Sequence, residues 1–416
     1  MRRCYLWLLL LAAAGPLAAL PTEDPLPTPA DLPATAVAIG LLRQDPAVQE
    51  ALANVSGASH VAGMLRASPH EWTLRATRQQ RRFEVGPSSR EWSAQLERTV
   101  RLPGKKALDR QLGEVEIELA DANLNEAVHE AARSLLELWM DWLQSGRMQA
   151  LLAEQAQFAE SNLRAVQTRQ RAGDASTLEV NVAAGDAAQL QRRLAAAQAE
   201  ADKARARLEI RFPAVPASAP MLSQPRPVSQ GEPAWRERIL ATSDPLHQAD
   251  LELRKAEQQA SRVRADRLPD PTLGVFTASE VFGRERVIGV SVSVPLPGGY
   301  RRERLGQALS GIEAAAAARD RVRRTIEAEI STAYTDASSN HARWQLAEQG
   351  ARQAADTARL TQRAYTLGEA DVQTVLLARQ QSLEVAQAAL EAQVAALRAH
   401  YRLLIDAHRI WGLAHE

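Results

Sequence analysis

The side chains best suited to metal or nucleophilic chemistry are eight histidines and one cysteine. Cys4 precedes the first apolar run, so it is expected to leave with a leader, and the mature chain then has no disulfide and no thiolate ligand. His400 and His408 stand eight residues apart, two turns along one expected helix. Two ligands at that separation cannot readily share a tetrahedral ion, so both read as structural or solvated. No resident metal and no cofactor are expected. The chain also lacks a His-Glu-x-x-His pair, a phosphate loop and a nucleophile elbow, and an enzyme is not expected. The polar signals that remain are carboxylates at two glycine turns, Gly173-Asp174-Ala175 and Gly368-Glu369-Ala370. Two similar basic segments, "LPGKKALDRQ" from Leu102 and "LPGGYRRERLGQ" from Leu296, stand beside them.

These signals recur in pairs, and the pairing identifies the elements that position them. Asp45-Pro46 is matched by Asp244-Pro245, and Trp72-Thr73-Leu74 by Pro271-Thr272-Leu273. With the Leu-Pro-Gly pair and the glycine turns, the offsets are 199, 199, 194 and 195 residues. Four landmarks in one order at nearly one offset mark an internal repeat. The first copy is expected at 21–211, with strands in about 71–102, a long helix over about 105–172 and a return helix over about 176–211. A connector at 212–233 holds six prolines, a density that excludes helix. The second copy is expected at 234–409, with strands in about 272–297, a long helix over about 300–367 and a return helix over about 371–409; a tail fills 410–416.

A helix of that length reaches on the order of 100 Å and needs partners along it. The return helices supply a seam. Leu376, Leu383, Leu390, Leu397 and Leu404 repeat by seven, as do Val180, Ala187, Leu194, Ala201 and Leu208. Low aromatic content (4%) and alanine runs such as Ala314–Ala318 suit closely spaced helix axes rather than a thick core. Lys plus Arg equals Asp plus Glu, 50 each, so nothing marks a nucleic-acid binder.

The strands alternate with period two. Trp72 and Leu74, Trp92 and Leu96, and Ile288, Val290 and Val292 fall on apolar faces. Thr73, Arg75, Ser93, Gln95, Glu97, Gly289, Ser291 and Ser293 face the other way. Strands of roughly ten to twelve residues match a tilted membrane strand. Four such strands cannot close a barrel, and an open edge cannot sit in lipid. Three chains would close a barrel of about twelve strands, apolar face to lipid, polar face to water, with Trp72 and Trp92 as interfacial girdle. Pro103 and Pro297 are expected to stop strands, and Gly104 and Gly298 to let the chain swing at the membrane edge. Lys105-Lys106 and Arg301-Arg302 are expected to meet lipid head groups or water there. At the N-terminus Arg2, Arg3, the apolar Leu6–Ala14 and small residues near Ala18 and Ala19 read as a secretory signal over 1–20. No later run has the 18 apolar residues of a membrane helix.

Signal, duplicated helix–hairpin–helix–helix unit, proline-rich connector and heptad return helices together resemble the TolC-like outer membrane factor family over about Pro25–His408. The "LPGKKALDR" segment is similar to the branch serving cobalt–zinc–cadmium heavy-metal efflux pumps, whereas the second copy has Gly-Gly-Tyr-Arg. The resemblance implies a mainly α fold with a small β part. It implies a homotrimer whose 12-stranded outer-membrane β-barrel continues into a long α-helical coiled-coil barrel through the periplasm of a Gram-negative bacterium. A periplasmic adaptor and a proton-driven inner-membrane pump would dock beneath. The glycine turns would be the periplasmic tips that meet the adaptor: Arg171, Gly173, Asp174 and Ser176 in copy one, Thr366, Gly368, Glu369 and Asp371 in copy two. Asp174, Glu369 and Asp371 would either ring a trimer's mouth as a cation-favouring entrance or serve only the helices that follow them. The implied role is a passive conduit for heavy-metal cations. The same fold serving drug efflux or type I protein secretion stays open, as does a soluble coiled-coil adaptor, although an adaptor carries one helical hairpin and this chain has two.

Overall fold

The computed structural model describes residues 26–216 and 218–412; the expected signal at 1–20 and residues 413–416 lie outside them. Two short helices come first, α1 (Thr35–Arg43) and α2 (Pro46–Ala67). A hairpin, β1 (Thr73–Arg81) and β2 (Ser89–Thr99), leads into the 69-residue α3 (Pro103–Arg171) and the return helix α4 (Thr177–Arg211). The second copy runs α5 (Glu232–Ala241), α6 (Asp244–Ala265), β3 (Thr272–Glu280), β4 (Glu285–Ser293), the 68-residue α7 (Gly299–Thr366) and α8 (Val372–Asp406). At 1.5 Å per residue α3 and α7 each span roughly 100 Å. Among the described residues no helix is long and apolar enough to cross a membrane.

The sheet joins the two halves. Its order is β1-β2-β3-β4 with every neighbour antiparallel. One chain therefore makes an open four-stranded sheet, not a barrel, and β1 and β4 are its edges.

The core sits midway along α3. Leu135, Leu136, Trp139, Met140 and Leu143 pack with Leu208 and Phe212 at the end of α4, with Leu397 to Ile405 of α8, and with Leu41 and Leu42 of α1. Asp31, fully buried, ties this belt together. It accepts Tyr401 Oη–H at 2.7 Å and the Ser223 amide at 3.0 Å, and its carbonyl accepts Trp139 Nε1–H at 2.7 Å. The leucines of the α8 heptad are buried or half-buried, which is the seam geometry.

The copies are not equally covered. Twenty residues of α3 are buried, whereas α7 buries only Ile326, Ile330 and Ala337. In α7, Leu346 is 71% exposed and Leu360 57%. α7 packs along α8 and α6 of its own chain, yet far more of its surface stays bare than that of α3.

The connector ends earlier than its prolines suggest. Pro233 lies in the first turn of α5, where a missing amide hydrogen breaks no helical bond. The Asp-Pro landmarks also differ in role. Asp45 caps α2, accepting the Ala47 amide at 2.9 Å, but Ser243 caps α6 and Asp244 is already helical.

Candidate functional site: an apolar sheet face and two helical tips

Residues paired across antiparallel strands share a face. One row runs Leu74, Leu96, Val275, Val290, and the next runs Ala76, Ala94, Thr277, Ile288. Val292 pairs with Leu273 on the same side. The face is bare in the isolated chain: Leu74 is 72% exposed, Val290 80% and Ile288 84%. Arginine and tryptophan bound it at both ends. Arg98 lies 5.5 Å over the Trp72 ring at the helix end, and Arg78 pairs with Trp92 at the loop end. Trp72 and Arg78 are six residues apart, about 20 Å of strand. The tryptophans therefore bracket an apolar band rather than share one level.

The opposite face carries Thr73, Glu97, Gly274 and Ser291 in one row, and Arg75, Gln95, Phe276 and Gly289 in the next. Gln95 Nε2 donates to Glu97 Oε2 at 2.9 Å and to Ser291 Oγ at 3.3 Å. Phe276 is an aromatic on this mostly polar side, which also carries Ala278 and Val287. Gly289 makes room for it, since a Cβ there would stand 2.6 Å from Phe276 Cζ.

Where strand meets helix, the structure departs from the expectations set above. Pro103 is the first residue of α3, a position where its missing donor is harmless, and Gly104 follows inside the helix. Pro297 precedes α7, and Gly298 is its cap, in extended backbone. Neither Gly104 nor Gly298 needs a conformation special to glycine, so the swing is not theirs. Lys105 is not a head-group contact either. It is 2% exposed and bridges Asp266 at 3.2 Å and Asp270 at 3.0 Å. Asp109, in the same motif, is gripped by Arg101 at 2.6 Å and Arg262 at 2.5 Å. Arg101 also donates to the Leu65 and Arg66 carbonyls that end α2, and Arg301 donates to the Asp266 carbonyl. Burial disfavours charge on Asp266 and Asp270. Arg262 and Lys105 nevertheless hold Asp266 below the usual carboxylate range, and the Leu102 amide and Lys105 do so for Asp270. The basic segment is thus half of an ionic joint that fixes α2, α3 and α6 under the sheet.

At the far end the two tips share one construction. Gly173 (φ 84°) and Gly368 (φ 79°) take the left-handed conformation that closes a helix. The Gly173 amide donates to the Gln170 carbonyl at 3.0 Å and Asp174 to Arg169 at 2.8 Å; Gly368 and Glu369 repeat this on Tyr365 and Ala364. Ser176 caps α4 in a reciprocal pair with Glu179. Asp371 caps α8, accepting the Thr374 amide at 2.7 Å, a bond that holds its carboxyl below the ordinary value. All three carboxylates are exposed, but that of Asp371 serves its helix. Arg171 and Thr366 are exposed in the last turns of α3 and α7, with the Thr366 hydroxyl turned to the Arg363 carbonyl. A side-chain bond links the tips to each other: Arg169 Nη1 donates to Tyr365 Oη at 2.6 Å, and Arg169 Nη2 to the Asp174 carbonyl at 3.0 Å. Neither Arg169 nor Tyr365 was among the sequence candidates. They lie 196 residues apart, and only their parallel places four and three positions before the two glycines could have suggested the contact.

Comparison with known proteins follows this geometry. Residues 235–404, most of the second copy, match the family model described as outer membrane efflux protein. No curated protein sequence matches the chain. Solved structures that share its fold include three outer membrane proteins. The outer membrane protein VceC of Vibrio cholerae is 19% identical, with TM-score 0.72 over 91% of this chain and 95% of that one. The CmeC outer membrane channel of Campylobacter jejuni is 14% identical, with TM-score 0.74 over 92% and 86%. The MtrE outer membrane channel of Neisseria gonorrhoeae, solved in its open state, is 16% identical, with TM-score 0.70 over 91% and 88%. The mainly helical architecture with one small sheet is the architecture of those structures.

Proposed function

We propose that three copies of this chain form an outer membrane channel of a tripartite efflux system. The observation that carries this reading is the open sheet: one face apolar and bare, bounded by Trp and Arg, with both edge strands unpaired. Such a face is stable in lipid only if the edges are satisfied by further copies. Three chains supply twelve strands, within the range of membrane barrels. The sparse coverage of α7 supports the same assembly, because neighbouring chains would cover its exposed leucines. The match of the second copy to the efflux family model and the shared channel fold support the efflux role.

In this reading the long helices form a periplasmic tube, the tips at Gly173 and Gly368 meet an adaptor, and a proton-driven inner-membrane pump loads it. The chain conducts passively and carries no chemistry of its own. Heavy-metal cations are the proposed cargo, on the resemblance of "LPGKKALDR" to the cobalt–zinc–cadmium branch. The processed protein should fractionate with the outer membrane, resist alkaline extraction and crosslink as a trimer. Recovery as a detergent-free monomer refutes the channel. A deletion strain should become sensitive to zinc, cobalt, cadmium, copper or silver salts; sensitivity to drugs alone refutes the metal cargo.

Two further outcomes concern the tips. Asp174→Asn with Glu369→Gln removes six carboxylates from a trimer without touching the α8 cap. In planar bilayers the cation-to-anion permeability ratio should fall by about twofold or more, because a ring of charge focuses the field at a mouth. Unchanged selectivity would mean the entrance charge lies elsewhere. Tyr365→Phe removes the Arg169 bond between the two tips. Resting single-channel conductance should rise, and an identical conductance would show that this bond does not restrain the opening.

A further inference from the structure

Three residues far apart in sequence meet beside the core belt. His129 comes from α3, Asp244 from the first turn of α6, and His408 from the segment just after α8. His408 was expected on the helix with His400, but α8 stops at Asp406 and His408 adopts a left-handed backbone (φ 52°). That turn brings its ring against His129, with centroids 5.1 Å apart and planes at 74°. His408 Nε2 lies 3.6 Å from Asp244 Oδ2. One ligand atom from each residue fits within a span of 4.8 Å. The three are only 4%, 2% and 7% exposed.

We infer that His129, Asp244 and His408 form a binding site for a resident divalent cation of the zinc or cobalt class. Two imidazoles and one carboxylate are a ligand set such ions favour, with a fourth position left for water. Tetrahedral bonds of about 2.0–2.1 Å set ligand atoms roughly 3.3 Å apart. The cluster therefore needs to contract by up to about 1.5 Å. Both nitrogens of His129 are buried without a hydrogen bond. Asp406 stands 3.6 Å from Nε2 and Glu126 3.8 Å from Nδ1. Whichever nitrogen turns to the ion, a carboxylate backs the other, as is usual for metal-bound histidine. A groove of about 960 Å³ reaches the cluster at His129, beside Ser243, Pro245 and Asp406. The ion would fasten the end of the second copy to α3 of the first. Its burial suits residence rather than passage, so it is distinct from any cargo.

The test uses the full processed protein, purified in detergent, stripped with chelator and titrated with zinc and then cobalt. The expected result is about one ion per chain and a cobalt absorption band of nitrogen and oxygen ligation. Asp244→Asn and His408→Gln should each weaken binding at least about tenfold. His400→Gln, outside the cluster, should leave binding unchanged. Zinc should raise the melting temperature of the wild type and not of the two ligand variants. A folded wild type that holds less than about a tenth of an ion per chain overturns the proposal on its own, even if a variant fails to fold. So does binding that both ligand variants retain. Either result leaves the channel reading untouched, since conductance and membrane fractionation do not depend on this site.

Discussion

Val290→Arg is expected to remove the assembled protein from the outer membrane. Val290 is 80% exposed and lies in the row Leu74, Leu96, Val275, Val290, between the arginine-bounded ends of the apolar face. Arginine on the lipid face of a membrane barrel costs about 2–4 kcal/mol near the midplane. A trimer carries the substitution three times, so the penalty is roughly 6–12 kcal/mol per barrel. Val290 is also on an edge strand, where the added charge would disturb pairing with the next copy. Ser93→Arg is the paired control. Ser93 lies on the opposite face, across from Thr77 and Ala278, where a charge would stand in water. The measurement is the trimer in outer-membrane fractions by crosslinking. Loss with Val290→Arg and retention with Ser93→Arg supports the orientation of the sheet. The reverse pattern would turn the barrel inside out.

Asp109→Ala should be the most damaging single change at the joint beneath the sheet. Asp109 is 4% exposed and holds two arginines, one of which, Arg101, has a side chain only 7% exposed. Removing one partner of a buried ion pair leaves the other charge uncompensated and costs about 3–5 kcal/mol. The loss spreads, because Arg101 also holds the carbonyls at the end of α2 and Arg262 also holds Asp266. If the joint opens in the unfolding transition state, thermal inactivation should accelerate on the order of a hundredfold or more. Lys106→Ala changes an exposed charge three residues away and should shift stability by no more than about 0.5 kcal/mol. The check is the half-life of folded trimer against heat and protease. Equal half-lives for the two variants would show that the joint does not hold the fold.

The two substitutions mark where the sequence is readable and where it is not. Period-two alternation is local, so the exposed apolar set at Leu74, Leu96, Ile288, Val290 and Val292 can be read from the chain alone. So can the glycine turns, because a left-handed residue between two long helical runs has few other solutions. The joint is different. "LPGKKALDR" looks like surface charge until Lys105 is seen against Asp266 and Asp270, more than 160 residues downstream. Desolvation is a property of the partner, and no local pattern reports it. Phe276 is a similar case: an aromatic on the polar face is intelligible only beside Gly289 on the neighbouring strand. The cluster of His129, Asp244 and His408 was illegible for two reasons. Its members are spread over about two thirds of the chain, and the helix expected to carry His408 ends two residues before it.

The unpaired edges of the four-stranded sheet bear on how such a polypeptide is made. In the proposed assembly, each newly exported copy would offer two open strand borders and a greasy surface until its siblings arrive, the pattern associated with clumping. Escort proteins in transit, and the rate at which copies find one another, would then limit yield more than the stability of the finished assembly does.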